Sequence, residues 1–277
     1  MNSDVEHLFK VEGVPSGYTN LENQPLIWKN SDLIIIASRP SVGKSAFALN
    51  VALNAAVGMN IPVLYFSLEM DSRILAKRMI VRESGINVKE VTPNRSFNQH
   101  DWIHIEKRLL RLKECPLYID DTPGLLIGDF TEKVEKSIKE KGIKLVIIDY
   151  LQLMRAHEKY LGMREDEVSY IIRTLKAVAM SFDIPIVALS QLSRFSLSTG
   201  EHRLPKLNDL REAAHAQEEA ADLILFIDRP SDEKIKENPD VANNAEIVVA
   251  KNRNGILESI PMKYYKESFL FKNLERL

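Results

Sequence analysis

Cysteine is almost missing from the 277 residues: Cys115 stands alone. That excludes an internal disulfide and any zinc site built on two thiolates. A single thiol before Pro116 reads as a small buried side chain rather than a nucleophile, and a chain without disulfides suits a reducing, cytoplasmic compartment. Net charge is nearly missing too, at −2. Proteins that coat duplex nucleic acid are usually basic, so any nucleic acid here must be met locally, by a few cationic loops in a pore or groove. No apolar run approaches the roughly 18 residues of a membrane span. The opening residues, MNSDVEHLFK, lack a basic head and an apolar core, so no signal peptide is expected there. No internal repeat and no shift of composition marks a domain boundary, which points to a single large domain.

What the chain does have is one organising stretch, Leu33 to Val57 (LIIIASRPSVGKSAFALNVALNAAV). The apolar run Leu33 to Ala37 reads as a buried strand, and an amphipathic helix opens at Ser45. Between them lies a tight polar turn ending in Gly-Lys-Ser. Strand, turn and helix in this order form a phosphate-binding P-loop. Ser38, Arg39, Pro40, Ser41, Val42, Gly43, Lys44, Ser45 and Ala46 form the expected cradle, where backbone N–H groups at a helix N-terminus favour an anion. Lys44 adds a full charge for the outer phosphates, and the Ser45 hydroxyl can ligate Mg²⁺. Gly43 lets the backbone approach without a Cβ. The full motif wants another glycine five residues before Gly43, where this chain has Ser38.

Around this stretch strands and helices alternate. Strands are expected at 61–66, 117–119, 145–148 and 186–189, and helices at 71–83, 99–113, 129–141 and 168–182. Such alternation predicts a mainly parallel sheet with helices on both faces. The last third reads as strands at 223–227, 245–250, 257–264 and 269–271, an antiparallel extension at one edge. Residues 1–30 show no sustained period and read as an N-terminal arm. The stretch 192–217 reads as a long functional loop, and 232–240 as a solvated excursion.

In an open parallel sheet, ligands bind beyond the carboxyl ends of the strands. Glu69, Asp149 and Gln191 each follow directly on an apolar strand, at the same expected rim as the P-loop. Asp149 is the candidate metal carboxylate and Glu69 the candidate for polarising an attacking water. Gln191 can donate to a γ-phosphate and report its loss to the following loop. Lys251 and Arg253 read either as the tip of a charged hairpin or as cations offered to a phosphate. Arg211 and Glu212 lie inside the long loop, and Arg78 could point to a phosphate, although a solvated helix face is the favoured reading.

Taken in order, ASRPSVGKSAFALN, VLYFSLEM, YIDDTPGL, LVIIDYLQLM, IVALSQLSR, NDLRE, EEAADLILFI and AEIVVAKNRNG resemble the C-terminal motor domain of DnaB-type replicative DNA helicases. The resemblance runs from about Gly13 to the C-terminus and tolerates Ser38. It implies a RecA-like P-loop ATPase over 13–277, preceded at 1–12 by the end of a linker. It also implies ATP and Mg²⁺ as cofactors, with Glu69 as catalytic base, Asp149 as the acid that holds the metal and Gln191 as γ-phosphate sensor. Lys251 and Arg253 would reach the nucleotide of a neighbouring subunit in a homohexameric ring. Arg211, Glu212 and Ala214 would belong to a loop tracking single-stranded DNA, along which the ring moves 5′ to 3′. The family usually has Ser-Gly where Ala213-Ala214 stand, so the contact at Ala214 is expected to be weakened or repositioned. A primase and a helicase loader are the implied partners. The family carries a helical collar and linker helix before the motor; this chain begins almost at the motor, so weaker hexamers are expected. The competing reading is a RecA-like ATPase acting as a recombinase or assembly switch.

Overall fold

The computed structural model describes residues 13–19, 25–85, 99–157, 160, 162–192 and 203–274. The expected arm at 1–12 and the first half of the long loop, 193–202, lie outside these residues. The first described element corrects an expectation. Gly13–Thr19 (β1) and Pro25–Lys29 (β2) pair antiparallel as a separate two-stranded sheet. Strands this short, with Pro and Gly inside them, carry too few alternations to show a period in sequence. They are held by burial of Tyr18 and Trp28 against the core.

The remaining strands are Leu33–Ser38 (β3), Val63–Ser67 (β4), Leu117–Asp120 (β5), Leu145–Asp149 (β6), Ile186–Gln191 (β7), Leu223–Asp228 (β8), Asn244–Asn252 (β9), Ser259–Tyr265 (β10) and Leu270–Asn273 (β11). They form one sheet in the order β11-β10-β9-β8-β3-β7-β6-β4-β5. All pairings from β8 to β5 are parallel, while β8–β9, β9–β10 and β10–β11 are antiparallel. This is the expected parallel sheet with an antiparallel extension at one edge.

The pleat of β3 explains why its five apolar residues are all buried. Ile34 and Ile36 point into one core, and Leu33, Ile35 and Ala37 into another on the opposite face. The first core takes the P-loop helix Lys44–Leu53 (α1), the β1–β2 hairpin and helix Ser72–Ser84 (α2). The second takes helices Ile127–Lys141 (α4) and Arg164–Phe182 (α5). Helix Gln99–Glu114 (α3) packs along α2. The two last helices are short, Ala214–Ala220 (α6) and Asp232–Glu237 (α7). Each falls in a stretch expected to be irregular.

Two helices differ from their sequence reading. Helix α1 is buried from Ala46 to Leu53, not on one face alone, because sheet and hairpin enclose it. On α2, capped by the Asp71 carboxylate, helical spacing predicts that Ile74, Leu75, Met79 and Ile80 share a buried face; Leu75 and Met79 are buried, but Ile74 and Ile80 face outward. Among the described residues, no helix is long and apolar enough to cross a membrane.

Candidate nucleotide-binding site

The P-loop leaves β3 at Ser38, which is buried, and enters α1 at Lys44. Ser41 and Gly43 hold positive φ, at 64° and 118°. A Cβ on Gly43 would stand 3.1 Å from Tyr264 and 3.4 Å from Phe271. The glycine is thus required twice, by its backbone conformation and by the aromatic edge strands packed on the loop. That edge is fastened to α1 by Asn50, which is fully buried. Its amide donates to the Phe269 carbonyl at 2.6 Å, and its Oδ1 accepts from the Phe271 N–H at 3.2 Å.

A cavity of about 450 Å³ opens over the loop. Ser38 to Ser41 and Gly43 to Ala46 line it, as do Glu69 and Gln191 from neighbouring strand ends. Val42, expected in the cradle, packs against the core instead. Arg39 reaches sideways to Asp228 at 3.6 Å and to the Arg203 carbonyl. The sequence reading missed four further wall groups: Tyr150, Tyr264, Lys266 and Phe269. It favoured a solvated face for Arg78, yet Arg78 also lines the cavity, its guanidinium 5.1 Å from the Phe269 ring centre. Arg39, Lys44, Arg78 and Lys266 line the cavity with Glu69 as the one lining carboxylate; even with Asp228 beside Arg39 and Asp149 beside Lys44 just outside the lining, the surface presented suits an anionic ligand.

Lys44 is held ready beneath this cavity. Its ammonium donates to the Ser190 carbonyl at 3.0 Å and lies 4.6 Å from the centre of the Tyr150 ring. Burial lowers its pKa, against the opposing pull of Asp149 and Glu69. Asp149 ends β6 opposite Ser67 and is fully buried. Burial raises its pKa, with Lys44 and then the Ser45 hydroxyl acting the other way. Its Oδ2 accepts from the Tyr65 hydroxyl at 3.1 Å, whereas Oδ1 has no hydrogen-bond partner among the described residues. A buried carboxylate oxygen without a donor, close to a P-loop serine, fits a hard cation that takes its remaining ligands from phosphate and water.

The strand end at Gln191 is bonded to the segment holding Arg211 and Glu212. The Arg211 N–H donates to the Gln191 carbonyl at 3.0 Å, and Gln152 bridges the Ser190 hydroxyl (2.9 Å) and the Arg211 carbonyl (3.3 Å). Fully buried Gln217 donates to the carbonyls of Arg211 and Glu212, and Arg164 pairs with the Glu212 carboxylate at 2.9 Å. Glu212 and Ala213 both take left-handed φ, 56° and 51°. The strained turn therefore sits at 212–213; Ala214 is already the first residue of α6.

Lys251 and Arg253 are the predicted residues that the fold keeps away from this cavity. Strand β9 runs antiparallel to β8, so Asn252 pairs with Leu223, which pairs with Ile34 near the start of β3. The P-loop leaves the other end of β3, one strand length or roughly 20 Å away. Both cations instead grip the C-terminal end of α6. Lys251 donates to the Glu218 carbonyl and to that of Ala221, and Arg253 to that of Glu219. Cations are favoured at such an end.

A P-loop entering a buried helix, with acid and amide side chains at the ends of adjacent parallel strands, defines a RecA-like P-loop domain. The chain belongs to the DnaB-like helicase C-terminal domain family, whose model matches residues 13–273. It is 38% identical over 267 residues to the replicative DNA helicase DnaB of Geobacillus stearothermophilus, and 36% identical over 274 residues to that of Haemophilus influenzae. These alignments cover 96% and 98% of this chain but 58% of each relative, so the chain spans little more than half the length of these relatives. A solved DnaB-like replicative helicase, described with its primase interactions, superposes with TM-score 0.86 at 32% identity, over 99% of this chain and 67% of that one. The ATPase domain of G40P gives 0.85 at 32%, over 99% and 96%. A KaiC-like protein of Pyrococcus horikoshii, at TM-score 0.60 and 14% identity over 96% and 100%, shares the fold.

Proposed function

We propose that residues 13–277 form the motor domain of a ring-shaped replicative DNA helicase, with 1–12 as the end of a linker. The motor binds ATP with Mg²⁺ and couples hydrolysis to 5′-to-3′ movement along single-stranded DNA in a homohexamer. The observation that carries the reading is the bonded path from Lys44 through Ser190 and Gln152 to Arg211. It joins the nucleotide cavity to the loop that would meet DNA, a connection an assembly switch has no need of.

Each residue has a task in this scheme. Lys44 releases the Ser190 carbonyl to hold the outer phosphates, and the cost of burying its charge, which lowers its pKa, is one that a bound polyanion would offset. Ser45 and Asp149 Oδ1 would hold the metal, which when bound supplies positive charge between those phosphates. Glu69, exposed at the rim, orients the attacking water and draws its proton. Gln191 donates to the terminal phosphate, and losing that bond shifts the strand end to which the Arg211 segment is attached. Lys251 and Arg253, too far from their own P-loop, stabilise transition-state charge in the adjoining subunit, an effect on the order of 10³-fold. Arg211 and Glu212 follow the DNA backbone. The same reading places a primase and a loader on the full-length protein.

The test is ATP turnover with and without single-stranded DNA, together with particle mass in the presence of nucleotide and DNA. Turnover should rise on adding DNA, and the mass should approach six chains. Turnover indifferent to DNA would return the chain to the recombinase or assembly-switch class. Lys44→Ala should abolish turnover while leaving the fold intact; retained turnover would remove the site.

A further inference from the structure

Arg253 is not a loose surface side chain. Its backbone N–H donates to the Asp222 carbonyl at 2.9 Å, its Nη1 to Asp222 Oδ1 at 3.1 Å and its Nη2 to the Glu219 carbonyl at 2.5 Å. Asp222 is committed on its other side. Oδ2 accepts from Lys176 Nζ at 2.6 Å and from the Leu33 N–H at 2.9 Å, and the Asp222 N–H donates to the Leu33 carbonyl at 2.9 Å. Exposure divides the pair: the Asp222 side chain is 8% exposed and that of Arg253 45%. The inner edge of the guanidinium is anchored in the protein and its outer edge faces solvent. A guanidinium has more N–H donors than two bonds consume, so that outer edge keeps donors for an oxyanion.

The charges around the pair bear on it as well. A carboxylate paired with one guanidinium would leave a neutral patch with little attraction for phosphate. Here the carboxylate also faces the Lys176 ammonium, whose side chain is 19% exposed. Lys176 offsets the Asp222 charge from the inside, with half-buried Asp32 also close to both cations, so what Arg253 offers outward is set by the exposure of its guanidinium rather than by a surplus of charge. The fixed geometry also means that a flexible side chain has already lost its rotamer freedom before any ligand arrives.

We propose that Asp222 is the positioning residue for Arg253, holding its guanidinium in the attitude in which it meets the nucleotide of a neighbouring subunit. Asp222 also ties that finger to Leu33, the first residue of the strand that ends in the same subunit's P-loop. The finger offered to one site is thereby rigidly joined to the strand that forms the next. This rests on the reading above that Arg253 acts between subunits. Lys176 acts one step further back, as the counter-charge to Asp222.

The experiment measures DNA-stimulated ATP turnover for Asp222→Asn, Asp222→Glu, Arg253→Ala and the double variants, with melting temperature and particle mass for each. Asp222→Asn should lower kcat about tenfold or more with little change in KM, because the nucleotide is still held by a neighbour's intact P-loop. Asp222→Glu, which keeps the charge but displaces it, should lose less. In the Arg253→Ala background neither change should cost anything further. Mixing Asp222→Asn chains with Lys44→Ala chains, which have intact fingers and dead sites, should restore turnover per live site. Equal losses with and without Arg253, or no restoration on mixing, would overturn the assignment. So would failure of both Asp222 variants to assemble as folded rings, which would make the residue purely structural. Full turnover by Arg253→Ala would instead remove the finger reading on which the assignment depends. A loss in Arg253→Ala beside an unaffected Asp222→Asn would remove the assignment alone.

Discussion

Arg211 is bonded to Gln191 twice: its backbone N–H donates to the Gln191 carbonyl at 3.0 Å, and its guanidinium to Gln191 Oε1 at 3.4 Å. The residue at the lip of the nucleotide cavity and the cation of the neighbouring loop are therefore joined directly, through backbone and side chain. Helix α6 carries the connection onward, since it starts just after Glu212 and ends where Lys251 and Arg253 take hold.

Arg211→Ala should weaken single-stranded DNA binding and make it less sensitive to salt. The slope of log affinity against log salt should become shallower by about 0.7, the loss of one phosphate contact. Fluorescence anisotropy at several salt concentrations measures it; an unchanged slope would take Arg211 off the DNA.

Asp149→Asn should separate stability from activity. Burial raises the Asp149 pKa, so the ionised carboxylate costs the folded state stability at neutral pH. The amide removes that cost and should raise the melting temperature without nucleotide. Turnover should fall by roughly a hundredfold or more, because charge stabilisation by a bound metal is worth several kcal/mol. Calorimetry with and without Mg²⁺ and nucleotide reads both effects.

Gly43→Ala should destabilise the fold by about 1–3 kcal/mol, the cost of a side chain at such a φ. The new methyl would also press on Tyr264 at 3.1 Å and Phe271 at 3.4 Å. Nucleotide affinity should fall with it, since the loop must shift to relieve the contact. Denaturant titration and nucleotide binding check the pair of outcomes.

Asp32→Asn should stabilise the protein at pH 7. Burial, followed by the nearby Asp222 charge, raises the Asp32 pKa from 3.8 to about 6. The folded state thus binds more protons than the unfolded chain between those values, and native stability falls as pH rises through that window. The gain from the amide should be absent near pH 4, grow towards pH 6 and level off above it. Allowing for solvent screening of a half-buried group, it should reach about 1 kcal/mol. Melting curves across this range decide it.

Much of the site was legible because its signals are local. Glu69, Asp149 and Gln191 could be placed at one rim because each follows an apolar run, and parallel strands share one carboxyl edge. For Arg78 the solvated reading was favoured over the phosphate-facing one because its place in the cavity wall depends on Phe269, a residue 191 positions later in the chain. The β1–β2 hairpin stayed hidden because its stability comes from burying Tyr18 and Trp28 in the core beside α1, not from a pattern within its own short strands. The left-handed turn at Glu212 and Ala213 carried no signal in the sequence, since neither residue is a glycine.

By itself the sequence determined the parallel core, the P-loop and the identity of the groups that end its strands, since burial of short apolar runs and the chemistry of Gly-Lys-Ser are properties of contiguous residues. The tertiary structure alone decided what Lys251 and Arg253 can reach. A strand's direction is set by pairing with a distant partner, and the antiparallel turn into β9 carries both cations to the far end of the sheet. That same pairing brings Arg253 onto Asp222, 31 residues earlier, and so converts a charged strand end into an anchored, outward-facing guanidinium.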